Sequence, residues 1–211
     1  MIHKMKIKTK KIFSLSVLVL CIAVFGLVGA VSAEDPDLPT ILNDRYGEWN
    51  WVGPLSLTEI SFTQTSSVVF VYVDDHVAGY TDPTGWYETD SSTKHLLFAT
   101  PTKGDNAQFS PGEEFGIYID SDDGTFYSQN SKNPGGNIHA QLYKVTGGAH
   151  SGAYVVAFED LLPDHSDYDY NDVVIELTNV NPIPEFATIA IPAVAILGLF
   201  LFFNHRKRKE E

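Results

Sequence analysis

The chain has 211 residues, with 14 lysines and arginines against 27 aspartates and glutamates, and a single cysteine. Most of the positive charge lies at the ends: residues 34–182 hold 24 acidic and 5 basic side chains, a formal net charge of −19. A surface that negative repels phosphate backbones, whose capture depends on Lys and Arg displacing counterions, so nucleic acid is excluded as a partner.

At the N-terminus Lys4, Lys6, Lys8, Lys10 and Lys11 precede an apolar stretch over 12–31, and Val31-Ser32-Ala33 closes it before Glu34. Basic, apolar and small-residue regions in that order predict a secretory signal peptide over residues 1–33, cleaved after Ala33. An uncleaved signal anchor is the alternative. The only cysteine, Cys21, falls inside this run, so the rest of the chain has no disulfide and no cysteine-ligated metal.

Residues 34–182 suit one domain, and export makes it extracellular. Residues 55–62 alternate with period two and 68–73 form a continuous apolar run; segments 94–99, 115–120, 138–145, 154–158 and 173–177 complete the expected strands. Breakers separate them: Asp82-Pro83-Thr84-Gly85, Ser110-Pro111-Gly112, Asn133-Pro134-Gly135-Gly136 and Thr146-Gly147-Gly148. No segment between the termini shows a helical period. The pattern predicts an all-β domain, an antiparallel β-sandwich of jelly-roll-like topology. Trp49, Trp51 and Trp86 are expected to pack, with sugar stacking as the alternative. Asp123-Gly124 reads as a hairpin turn, and the segment from Asp120 through Asp122 and Asp123 as a lesser place for a cation.

Glu159, Asp160, Asp164, Asp167, Asp169 and Asp172 then crowd together with no Lys or Arg among them. Asp167, Asp169 and Asn171 place oxygens at alternate positions of one loop, the kind of supply that a hard cation such as calcium needs for its six to eight ligands. The spacing is that of the start of an EF-hand loop, but Asp172 stands where the glycine would be and Thr178 where the bidentate Glu would be, so a true EF-hand is excluded. The expected calcium ligands are Asp167, Asp169, Asn171 and Asp172, with Glu159 and Asp160 close by. A solvated turn in which Asp side chains bond local N–H groups, or acidity serving solubility in salt, are the alternatives. Tyr168 and Tyr170 are expected to pack beneath the loop. Phe158-Glu159-Asp160 and the run from Asp167 to Val174 resemble the end of the domain of unknown function 4114, found in secreted bacterial and archaeal proteins, over a stretch reaching back to about Phe109. That resemblance implies a secreted β domain and no particular activity.

The chain ends with Pro182-Ile183-Pro184-Glu185-Phe186, an apolar stretch over 186–203, and His205-Arg206-Lys207-Arg208-Lys209. Its eighteen residues, almost all apolar, span about 27 Å as a helix, close to the bilayer's hydrocarbon thickness. The basic cluster stays cytoplasmic, which leaves residues 34–182 outside. The proline, acid and aromatic before a terminal span and a basic tail make residues 183–211 resemble the PEF-CTERM sorting signal of archaeal surface proteins. The resemblance implies an archaeosortase-type enzyme that cuts at Pro184-Glu185-Phe186 and transfers the protein to a membrane or lipid anchor.

No nucleophile elbow, zinc-protease helix, phosphate loop or dinucleotide fingerprint occurs, and His76, His95, His139, His150 and His165 are scattered. The expected role is therefore a noncatalytic cell-surface protein, stabilised by calcium, that binds envelope glycans or surface-layer proteins. A secreted calcium-dependent glycan hydrolase and a purely structural envelope subunit are the alternatives. Few residues separate Thr178 from Pro184, which places the domain near the membrane.

Overall fold

The computed structural model describes residues 35–184. The signal peptide expected over 1–33, with Ala33, and the span expected over 186–203, with Glu185 and Phe186, lie outside them. Among the described residues no helix is long and apolar enough to cross a membrane.

The described chain opens with α1 (Leu38–Tyr46) and β1 (Trp51–Val52), followed by β2 (Phe62–Gln64), β3 (Val69–His76), β4 (Thr84–Glu88), β5 (Lys94–Phe98) and β6 (Asn106–Phe109). Then come β7 (Phe115–Ser121), β8 (Gly124–Tyr127), β9 (Ala140–Val145), β10 (Tyr154–Phe158), β11 (Val173–Thr178) and β12 (Val180–Pro182). They form two antiparallel sheets, ordered β1-β9-β10-β11-β3-β6 and β12-β2-β7-β4-β5, with β8 also paired to β7. The expected all-β antiparallel sandwich is observed.

The main core lies between the sheets. Val69, Val71 and Val73 of β3, Leu142 of β9, Val156 and Phe158 of β10, and Val173, Ile175 and Leu177 of β11 come from one sheet. Phe62, Trp86, Phe115, Ile117, Ile119 and Phe126 come from the other. Alternation along each strand sends every second side chain inward.

Helix α1 is a departure from the expectation of no helix between the termini. Asp37 caps it by accepting the Thr40 N–H at 2.9 Å, Pro39 lies in its first turn, and Gly47 ends it at φ +86°. Its buried Leu38, Ile41, Leu42 and Tyr46 make a second core with Val145, Val155, Ala157 and Val174 on the outer face of the first sheet. This explains why β10 is apolar on both faces and why β11 carries Val174 on its outer side. A strand covered on one side only would alternate, whereas these are packed from both.

Residues 55–61 correct another expectation. Despite their period-two pattern they are not a strand: only an isolated bridge, Glu59 to Gln129, precedes β2. Leu55 instead donates its N–H to the Leu142 carbonyl at 2.7 Å, so the segment closes the sandwich as an irregular strap.

Candidate metal centre

The acidic loop joins β10 to β11, two strands that pair directly, with Phe158 opposite Val173 as the last rung. Glu159 and Asp172 are therefore the residues at the mouth of this long hairpin connection, brought together by register although thirteen positions apart. The loop then folds Asp169 back toward them. Carboxylate oxygens of Glu159, Asp169 and Asp172 lie within 4.8 Å of one another. Oxygens bound to one calcium at about 2.3 to 2.6 Å fall within that same separation.

Glu159 is the innermost of the three. It is 1 % exposed, and both its carboxylate oxygens are buried without a hydrogen bond. Its backbone extends the ladder: the Glu159 N–H donates to the His139 carbonyl at 3.0 Å. Burial pushes its carboxyl up, and the charges of Asp167 and Asp169 push the same way, against Ser166 and the Leu161 N–H, which face it without good hydrogen-bond geometry. Asp172 rises to about 8, through burial first and then the charges of Asp160, Glu159 and Asp169, although its Oδ2 accepts the Asp160 N–H at 2.9 Å. Asp169 is half-buried and also raised, by burial first. Three carboxylates in such a place repel one another, and a dication is the counter-charge that relieves them.

The other expected ligands are placed differently. Asp167 is exposed at the rim, where its Oδ1 accepts the Asp169 N–H at 3.4 Å; Asp169 Oδ1 in turn accepts the Asn171 N–H at 3.3 Å. The loop is thus a pair of successive Asx turns, with the residues between them, Tyr168 and Tyr170, at φ +61° and +55°. Asn171 is buried and donates its side-chain N–H to the Pro36 carbonyl at 3.1 Å, tying the approach to α1 onto the loop. Asp160 stands between the trio and Asp82, interacting with Asp172 and Glu159 on one side and Asp82 on the other. Tyr170 packs beneath the loop as expected, but Tyr168 is 53 % exposed, its hydroxyl donating to the Pro163 carbonyl at 3.0 Å.

The lesser cation candidate is already paired. Asp120 accepts from Lys94 Nζ at 2.7 Å and from the Thr125 hydroxyl, while Asp123 Oδ2 accepts the Leu162 N–H at 3.2 Å and steadies the acidic loop from outside. The hairpin turn there falls on Asp122 and Asp123, with the positive φ on Gly124. Of the tryptophans, Trp86 is buried against His95 and Phe109, and Trp51 is half-buried with its indole N–H on Asn43 Oδ1 at 2.9 Å. Trp49, expected to pack, is 85 % exposed at φ +74°. Sequence reasoning missed Asp82 and His76, whose side chains meet at 3.3 Å near the acidic end. Nothing in spacing announces them, because they lie at the end of β3 and on the connection that follows it.

At the other edge of the fold, β12 pairs with β2 and the Ile183 N–H donates to the Ser61 carbonyl at 2.9 Å. Pro184 follows at once. With Ile183 it lines a cavity of about 370 Å³ shared with Glu59, Asp90 and Glu114.

Fold and site together define an antiparallel β-sandwich with an acidic inter-strand loop suited to a hard cation, leading without a linker into its C-terminal segment. Residues 102–179 match the family described as the domain of unknown function DUF4114, and residues 183–207 match the PEF-CTERM archaeal protein sorting domain. The chain carries an archaeal sorting signal, which makes it a sorted cell-surface protein, anchored at its C-terminus and processed by an archaeosortase-type enzyme. No curated protein and no solved structure matches it. The DUF4114 match begins before β6 and ends just after β11, so it contains Glu159, Asp169 and Asp172 but not β2 to β5, which complete the same core.

Proposed function

We propose that this is a noncatalytic, exported archaeal surface protein whose external sandwich is stabilised by calcium and binds envelope glycans or neighbouring surface-layer proteins. In this reading the leader over 1–33 is removed after Ala33, and the archaeosortase-type enzyme cuts at Pro184-Glu185-Phe186, exchanging the 186–203 span for a membrane or lipid anchor. Calcium sits against Glu159, Asp169 and Asp172, with Asp167, Asn171 and Asp160 around it. The observation that carries the calcium reading is Glu159: a buried carboxylate with both oxygens unpartnered, beside two further carboxylates. An isolated buried charge costs several kcal/mol, on the order that a bound cation returns. All-oxygen donors on an irregular loop, free of strict octahedral geometry, favour calcium over the smaller, stricter magnesium. The exposed rings of Trp49 and Tyr168 support sugar or protein contact.

The same reading takes the sandwich as jelly-roll-like, in keeping with a chain that crosses between the sheets from β2 to β3, β3 to β4, β5 to β6 and β6 to β7. The noncatalytic reading is supported by the requirement of a glycan hydrolase for two carboxylates flanking an accessible bond. The pair on the outer sheet face, Asp74 and Glu176, is buried under α1 and bound to Tyr46 and Arg45. Thermal unfolding of the full chain in detergent with calcium, magnesium or chelator tests the cation: a rise specific to calcium, abolished by Asp169→Ala and by Asp172→Ala, is expected, and identical melts overturn it. Retention on an envelope-glycan or surface-protein panel without product release is expected for the binding role; released oligosaccharide overturns it.

A further inference from the structure

Asp82 is a second orphan at the same end of the sandwich. It is fully buried, and its Oδ1 makes no hydrogen bond. Its backbone is held at φ +38° where the chain enters β4, with its carbonyl accepting the Thr84 hydroxyl at 2.8 Å and the next carbonyl, of Pro83, accepting the Asp120 N–H at 2.8 Å. The backbone is therefore fixed in place by its surroundings. Among the described residues the only basic group within ion-pair distance is His76, at 3.3 Å from Oδ2.

The Asp160 carboxyl, itself buried, lies within hydrogen-bonding reach of both Asp82 and Asp172. Asp172 in turn belongs to the trio with Glu159 and Asp169. The carboxylates thus run without interruption from Asp82 through Asp160 and Asp172 to Glu159 and Asp169. A single dication at the trio neutralises two charges and leaves the Asp82–Asp160 end uncompensated, and uncompensated buried charges cost several kcal/mol each.

We propose that this end of the sandwich binds a second divalent cation, calcium by its all-oxygen donors, held by Asp82 and Asp160, with Asp172 standing between the two positions. His76 orients the Asp82 carboxylate from its far oxygen. The second position extends the calcium reading above but stands on a different orphan, contributed by the connection from β3 to β4 outside the 102–179 match. Its cation would therefore clamp that connection to the mouth of the β10–β11 hairpin.

Equilibrium dialysis of the full chain in detergent against calcium, with bound metal counted per chain, tests this. Two ions per chain are expected at saturation, falling to one in Asp82→Asn and, independently, to one in Asp169→Asn. Near-ultraviolet circular dichroism checks that each variant keeps its packing, and the wild-type count needs no variant. One ion in the wild type, lost in Asp169→Asn and kept in Asp82→Asn, overturns the second position and leaves the first. One ion lost only in Asp82→Asn supports the second and overturns the first. No bound calcium overturns both. Two ions in Asp82→Asn overturn the assignment of Asp82 as a ligand.

Discussion

Phe158 and Val173 face each other as the final rung between β10 and β11, and that single pairing brings Glu159 to Asp172 across the mouth of the loop they bracket. The candidate centre is thus built at the end of two central strands packed on both faces. Its far side, from Asp167 to Asn171, is a loop held by its own Asx turns.

Glu159→Gln separates charge from shape at this centre. With chelator present the variant is expected to melt higher than the wild type by about 1–2 kcal/mol equivalent, because an unpaired buried carboxylate is replaced by a neutral amide. With calcium the order reverses, since the variant loses a ligand. Paired thermal melts check both signs; a variant less stable than wild type under chelator contradicts the repulsion argument.

Asp74 gives the outer face its own pH dependence. Burial pushes its carboxyl up to about 7, helped by the Glu176 charge and opposed by the Tyr46 hydroxyl, Arg45 and His150. The folded protein holds this proton to higher pH than the unfolded chain does. The resulting stability is complete below about pH 4 and is lost as pH rises through about 7, on the order of 2–4 kcal/mol in all. Asp74→Asn is expected to flatten that part of the profile, measured by urea unfolding between pH 5 and 8 in constant calcium.

Leu42 is fully buried where α1 meets the first sheet. Leu42→Ala is expected to cost about 2–5 kcal/mol and to loosen α1 selectively. Hydrogen exchange checks this: amides of α1 should lose protection before those of β7, which lies in the opposite sheet.

Gly116 on β7 lies under the Tyr87 ring, and a Cβ there would fall 2.3 Å from the ring carbon Cζ. Gly116→Ala is expected to destabilise by roughly 1–3 kcal/mol as the ring is displaced from its place over β7. Tyr87→Leu in the same background should recover part of the loss, which a double-mutant cycle measures.

Trp49→Ala separates binding from folding. The side chain is 85 % exposed, so the melting temperature should stay within the range of ordinary surface changes, about ±0.5 kcal/mol. Retention on the glycan or surface-protein partner should fall at least several-fold. Unchanged retention removes Trp49 from the binding surface.

Several elements are legible in the amino-acid pattern alone. Strands expected over 154–158 and 173–177 appear as Tyr154–Phe158 and Val173–Thr178, because unbroken apolar runs bounded by turns leave little choice. Others are not. β4 hides in a stretch that reads as a turn, since Thr84 and Gly85 follow Asp82-Pro83; the glycine is needed because a Cβ would fall 2.2 Å from the His95 carbonyl oxygen. The α1 signal is confined to Asp37, Pro39 and Gly47, in a segment too short for a clear helical period. The alternation over 55–62 has the strand period, but almost none of it joins a ladder.

By itself the sequence determined the sorting signal, the all-β character and the concentration of carboxylates between Glu159 and Asp172. These are local properties: a linear signal read by an enzyme, a period along a strand, and a density of charge. Only the tertiary structure decided which carboxylates meet. Strand register placed Glu159 opposite Asp172, a separate connection delivered Asp82 to Asp160, and Lys94 claimed Asp120 for an ion pair. A cation's ligands are chosen by three-dimensional separation of a few ångströms, and that separation depends on ladders formed between segments far apart in the chain.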